Sequence, residues 1–153
     1  MTRPDIRILP WPFDPEAEAR ALRSACSAAG AIVTFIGQAR DEGDPSLQLI
    51  LESCPGLTEK EIEGFAENAF RRWPLEALVI RHRIGAMAPG EPIVFVGAAS
   101  AHRRAAFESV DFIMDYLKSA APFWKRECRA QGDRWIEPRV EDHQDLKRWQ
   151  ALP

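Results

Sequence analysis

The chain has 153 residues, 46% of them hydrophobic and 28% charged, with a formal net charge of −3. That length suits one domain, residues 1–153, with a real core, and the acidic balance excludes a whole-surface nucleic-acid binder. No segment is apolar enough to serve as a signal peptide or to span a membrane. The three cysteines, Cys26, Cys54 and Cys128, form no C-x-x-C pair, so a reducing compartment without a zinc site is expected. A cytoplasmic protein is the default reading.

In chain order, IRIL at Ile6–Leu9 suits a short strand. The next segment starts a helix with Asp14 as N-cap and Pro15 at the first position, and Gly30 is placed to end it. AIVTFIG, Ala31 to Gly37, is β-branched and apolar, which predicts a largely buried strand. A polar loop, ARDEGDPS, leads to a second strand in LQLILES. A capping box of Thr58 and Glu61 opens a helix whose apolar residues Ile62, Phe65, Ala66, Ala69 and Phe70 follow helical spacing; Pro74 stops it.

ALVIRHRIG and PIVFVGAAS read as a strand pair joined by AMAPGE, where Pro89-Gly90 supplies turn chemistry. A long helix spans about Ala101 to Ala120. DRWIEPR suits a short strand and DHQDLKRWQ a final polar helix. Hairpin-like strand pairs with helices between them predict an α+β fold, a mainly antiparallel sheet with flanking helices.

The long helix carries the chemistry. Ala106, Phe107, Val110, Ile113, Met114 and Leu117 fall on one apolar stripe, with Glu108, Asp111 and Asp115 opposite. Phe112 and Tyr116 make a second apolar face, which requires packing on another side, against a second chain or deep within the domain. Lys118 sits at the rim of the main stripe. A lysine there either becomes partly desolvated and usable as acid, base or nucleophile, or snorkels to solvent.

His102 and Arg103 stand at the other end of the helix. The segment Ser100–Arg139 holds eight Lys/Arg against six Asp/Glu, which permits a local anion site. Fifteen residues separate Arg103 from Lys118, about 22 Å at the helical rise. The two cationic ends of one helix therefore cannot grip the same small ligand, but a two-fold dimer could bring them together. Lys125 and Arg126 lie just beyond the helix, where cations also satisfy its C-terminal carbonyls. Arg40 follows a strand end. His82, His102 and His143 show no metal-ligand spacing, so no metal is expected.

The combined motifs say more. HRIGAMAPGEPIVFVGAASAHRRAAFESVDFIMDYLKSAAPFWKRE, with GAIVTFIGQAR, LILESCPGLTEKEI, RRWPL and GDRWIEPR, resembles the catalytic, larger subunit of molybdopterin synthase, the MoaE family. The resemblance covers about residues 5 to 150. It implies an α/β-hammerhead fold and a sulfurtransferase. Such an enzyme adds two sulfurs to cyclic pyranopterin monophosphate and so forms the molybdopterin dithiolene. The sulfur arrives as a thiocarboxylate on the C-terminal tail of a small ubiquitin-like sulfur-carrier subunit. The implied assembly is a homodimer with one small subunit at each end, a heterotetramer.

Residue by residue, the resemblance makes Lys118 and Lys125 catalytic. It makes Gln38, Ala39, Arg40, His102, Arg103, Arg126 and Glu127, with both lysines, the substrate-binding set, His102 and Arg103 reaching the pocket from the dimer mate. No redox cofactor is required, because the sulfur donor brings the chemistry. The chain departs from the family at Gln38, where some relatives carry lysine, and at Cys54, where relatives tend to carry tyrosine. Two other classes fit the cations alone: a non-catalytic module for an anionic pterin or nucleotide, and an adaptor for a ubiquitin-fold protein.

Overall fold

The computed structural model describes residues 3–150. The elements are β1 (Asp5–Leu9), α1 (Pro15–Ala25), β2 (Ala31–Gln38), β3 (Gln48–Ser53), α2 (Leu57–Arg72) and β4 (Leu75–Arg83). They continue with β5 (Gly85–Met87), β6 (Pro92–Ser100), α3 (Arg103–Ser119), β7 (Phe123–Arg129), β8 (Gly132–Ile136) and α4 (Val140–Gln150). The α+β expectation holds, but the strands form two sheets of four, in the orders β1-β4-β6-β2 and β5-β3-β7-β8. Of all these pairings only β1 with β4 is parallel.

Local chemistry explains the starts of the helices. Asp14 Oδ1 accepts from Glu16 N at 3.0 Å and Ala17 N at 3.2 Å, capping α1. Gly30 does not end that helix, which stops at Ala25. Gly30 instead passes so close to Ala101 that a Cβ would lie 2.2 Å from its carbonyl oxygen. The expected Thr58–Glu61 capping box is displaced. The N-cap is Gly56, whose N–H donates to Glu59 at 2.6 Å, while the buried Thr58 hydroxyl accepts from Cys54 N and donates to the Pro122 carbonyl.

Helix α3 buries Ala105, Val110, Ile113 and Leu117 in the main core, together with Ile80, Val96 and Ala98 of the first sheet. Its second face stays within the domain: Phe112 is fully buried and meets Trp73 and Trp149 edge-on at 5.2 and 5.5 Å. Truncating such a phenylalanine to alanine costs about 3–5 kcal/mol. Asp115 is not on a solvated face as the spacing suggests. It is buried, takes Arg148 at 2.7 Å and accepts from Trp149 Nε1, which ties α4 to α3.

Strand β2 is not largely buried. As an edge strand it leaves Phe35 and Ile36 about two-fifths exposed, and Phe107 of α3 is more exposed still. A smaller core of Ala39, Leu49, Leu51 and Met87 lies under the second sheet.

Candidate active site

Between the two sheets and the C-terminal end of α3 lies a cavity of about 650 Å³, within the range of small-molecule sites. Its floor is apolar, from Leu49, Leu51, Met87 and Val94, and its walls are basic.

The first wall comes from the end of β2. Gln38, Ala39 and Arg40 all line the cavity. Ala39 is buried and fixed on both sides, since its N–H donates to the Glu91 carbonyl at 2.8 Å and its carbonyl accepts from Gly90 N at 2.6 Å. Glu91 in turn takes Ala88 N at 2.6 Å and Arg83 at 3.1 Å. This bracket sets the backbone from which Arg40 projects.

The second wall is β7, which sequence reading treats only as cations beyond a helix. Strand residues alternate between faces, so the register decides which cation enters. Lys125 pairs across the sheet with Leu51 and Ile136, and Glu127 with Leu49 and Arg134; all six line the cavity. Arg126 belongs to the other face. It lies 5.5 Å over the Trp135 ring and 3.7 Å from Asp133, and it does not line the cavity. The expectation that Arg126 contacts substrate is not met within this chain. Glu127 is held by Arg129 and Arg134, both at 3.2 Å.

The third wall is the end of α3, with Met114, Leu117 and Lys118. Here the desolvation argument moves from one lysine to the other. Lys118 is exposed, whereas Lys125 is half-buried. Burial lowers the Lys125 pKa from its ordinary value, and the nearby charge of Lys118 lowers it further, with a smaller contribution from Arg40. Two amines and a guanidinium thus line one cleft, a setting that attracts anions and leaves the half-buried Lys125 amine easier to deprotonate.

His102 and Arg103 are both exposed at the opposite end of α3 and do not line this cavity. His102 occupies the N-cap position without a side-chain cap bond. Sequence reasoning missed His82, which is buried in the cavity floor, and the rim residues Arg134 and Arg139. They stand in the segments HRIG and GDRWIEPR, but neither spacing nor periodicity gives them a role. The three cysteines are free, and among the described residues no group of three His, Cys, Asp or Glu could hold a metal ion. No helix among them is long and apolar enough to cross a membrane.

Comparison with known proteins gives this cleft a context. The MoaE protein family model matches residues 10–120. The molybdopterin synthase catalytic subunit of Pseudomonas aeruginosa is 50% identical over 147 residues, covering 95% of this chain and 98% of that protein. The structure of molybdopterin cofactor biosynthesis protein E from Burkholderia multivorans superposes with a TM-score of 0.82 at 41% identity, covering 99% of both chains. The same fold, at 20% identity and a TM-score of 0.76, occurs in the complex of subunits 1 and 2 of molybdopterin-converting factor from Helicobacter pylori, covering 88% of this chain and 91% of that one. The family model covers β2 and α3, identity and superposition extend over nearly the whole chain, and the chain belongs to the MoaE family.

Proposed function

We propose that this enzyme, a molybdopterin synthase catalytic subunit of molybdenum cofactor biosynthesis, transfers sulfur in the cleft between its two sheets. The donor is the thiocarboxylated C-terminus of a small ubiquitin-like subunit; the acceptor is cyclic pyranopterin monophosphate. The observation that carries this reading is the convergence of Lys118, Lys125 and Arg40 on one cavity, with the Lys125 amine responding to both of the others.

Arg40 provides the guanidinium fork that suits phosphate oxygens. Lys125 adds positive potential from a half-buried position and orients substrate or thiocarboxylate. Lys118, exposed at the cleft mouth, is the group within reach of an incoming tail. It stabilises the oxyanion that forms when the tail's carbonyl is attacked, transfers the proton, or holds the spent tail covalently. Glu127, neutralised by two arginines, is a scaffold for β7 more than a charge on the substrate.

The acting unit is a homodimer with a small subunit at each end, working in the cytoplasm. Since α3 is about 25 Å long, His102 and Arg103 serve the cleft of a second copy. The exposed Phe35 and Phe107 line one shallow groove and offer an apolar face to that copy.

The test is reconstitution with thiocarboxylated small subunit and the cyclic pterin. Wild-type protein is expected to give the dithiolene, and Lys118→Ala to give none while its circular dichroism is unchanged. Near-normal turnover by Lys118→Ala would remove the lysine from catalysis. Binding of the pterin without conversion by the wild type would favour a non-catalytic module, and binding of the small subunit without the pterin an adaptor.

A further inference from the structure

His82 lies at the end of β4, buried in the floor of the cleft, yet nothing in the reaction outlined above uses it. Its environment fixes its chemistry. Nδ1 lies 2.9 Å from the Arg83 carbonyl oxygen. A carbonyl can only accept, so Nδ1 carries the proton and Nε2 is left as a bare acceptor. The ring stacks on Phe123 with centroids 3.9 Å apart and planes 15° from parallel. Phe123 opens β7, two residues before Lys125 and on the same face. The imidazole can therefore neither rotate nor exchange tautomers without breaking a hydrogen bond or a stack.

The groups that face this ring across the cleft are cations. Lys118 and then Lys125 oppose its protonation, which burial already disfavours. Burial above all, with the charges of Lys118 and Lys125 adding to it, pushes its pKa down to about 4, so the ring is neutral at physiological pH. A neutral acceptor held rigidly in the cavity that Lys118 and Lys125 also line is a hydrogen-bond anchor available to one of them. Lys118 stands in the last turn of α3 on the cavity wall and is the more exposed of the two. A flexible four-carbon stem gains most from such an anchor.

We propose that His82 is a positioning residue for the sulfur-transfer reaction, its Nε2 accepting a hydrogen bond from the Lys118 ammonium and holding that amine over the cleft. This rests on the functional reading above and deepens it. The group recognised is an alkylammonium of the same chain, and the consequence is that Lys118 is aimed before substrate arrives.

The experiment compares wild type, His82→Phe and His82→Gln in the reconstituted assay. His82→Phe keeps a flat ring to stack on Phe123 but has no acceptor. It is expected to lower kcat at least ten-fold and leave KM for the pterin within two-fold, whereas His82→Gln, which restores an acceptor, recovers part of kcat. Wild-type kcat in His82→Phe overturns the proposal. If His82→Phe does not fold, nitrogen NMR of the labelled wild-type ring decides. An unprotonated Nε2 at pH 7 that shifts in Lys118→Ala supports the anchor; a protonated Nε2, or one indifferent to that substitution, overturns it. A wild-type protein that makes no dithiolene would fault the functional reading itself, separately from the histidine.

Discussion

Thr58 and Pro122 are joined by a buried hydrogen bond: Thr58 Oγ1 donates to the Pro122 carbonyl at 2.9 Å while accepting from Cys54 N at 2.8 Å. The start of α2 thereby pins the turn between α3 and β7, the turn that sets the relation of Lys118 to Lys125. Thr58→Val keeps the shape and leaves a buried donor and a buried acceptor unpaired, which costs about 2 kcal/mol. Urea unfolding should show that loss, and kcat/KM should fall with it. Unchanged stability would mean the turn is held by something else.

The His82 ring gives stability a definite pH dependence. Its folded pKa of about 4 lies below its ordinary value of 6.5, so the unfolded chain binds more protons between those values. Stability is therefore highest above the unfolded pKa and falls as pH drops from 6.5 toward 4, by an amount on the order of 3 kcal/mol. Urea midpoints of wild type and His82→Phe, followed from pH 7 to 4.5, should show the wild type losing stability relative to the variant. Parallel curves would contradict the buried neutral imidazole. Lys125 acts in the same sense at alkaline pH. Its folded pKa is lowered, so stability rises as pH climbs toward its unfolded value, and Lys125→Met should abolish that rise.

Arg129 binds Glu42 at 2.7 Å, Asp44 at 3.3 Å and Glu127 at 3.2 Å. Hydrogen bonds to Glu42 and Glu127 raise its pKa above the ordinary arginine value. The loop after Arg40 is thus clamped to β7 across the cleft mouth. Because the pairs are partly exposed, Arg129→Ala should raise KM for the pterin only a few-fold and change kcat less. Arg129→Lys should restore only part, since one ammonium cannot fork between three carboxylates. An unaltered KM in steady-state kinetics would show that the loop needs no clamp.

A shared site makes a prediction that no single chain can satisfy. Lys118→Ala and His102→Ala chains should each be inactive alone. Mixed in equal amounts and allowed to exchange, they should recover about a quarter of wild-type activity, because half the dimers then hold one intact site. Phe107→Asp, placing a charge on the exposed apolar face, should sediment as a monomer and show no activity. Failure to complement, with exchange demonstrated, would place His102 outside the site.

Much of this architecture was legible because long apolar runs leave a strong pattern. Helix α3 and the pair β4 and β6 are of that kind, and their cores are where the spacing puts them. Strand β7 was not legible. Its inward residues Lys125 and Glu127 face a polar cleft, so the usual alternation of apolar and polar never appears. Strand β5 is only three residues long. The edge position of β2 also escaped, because an apolar strand reads alike whether its cover is its own domain or another surface. The lysines were found through their motifs, but which of them is desolvated depended on how β7 lies against β3. His82 stands in the HRIG motif, but its place in the cleft could not be read there, since its neighbour Phe123 is distant in sequence and on another sheet.

The alternation along β7 has a further consequence. Inserting or deleting one residue at the Ala120–Pro122 turn, with pairing to β3 restored, would exchange the two faces. The cleft would then receive a guanidinium that never loses its proton in place of an amine that can, and a tryptophan in place of a phenylalanine. The length of a three-residue connection therefore determines whether this surface holds proton-transfer chemistry or only binds anions, and natural variation should tolerate substitution there far better than changes in length.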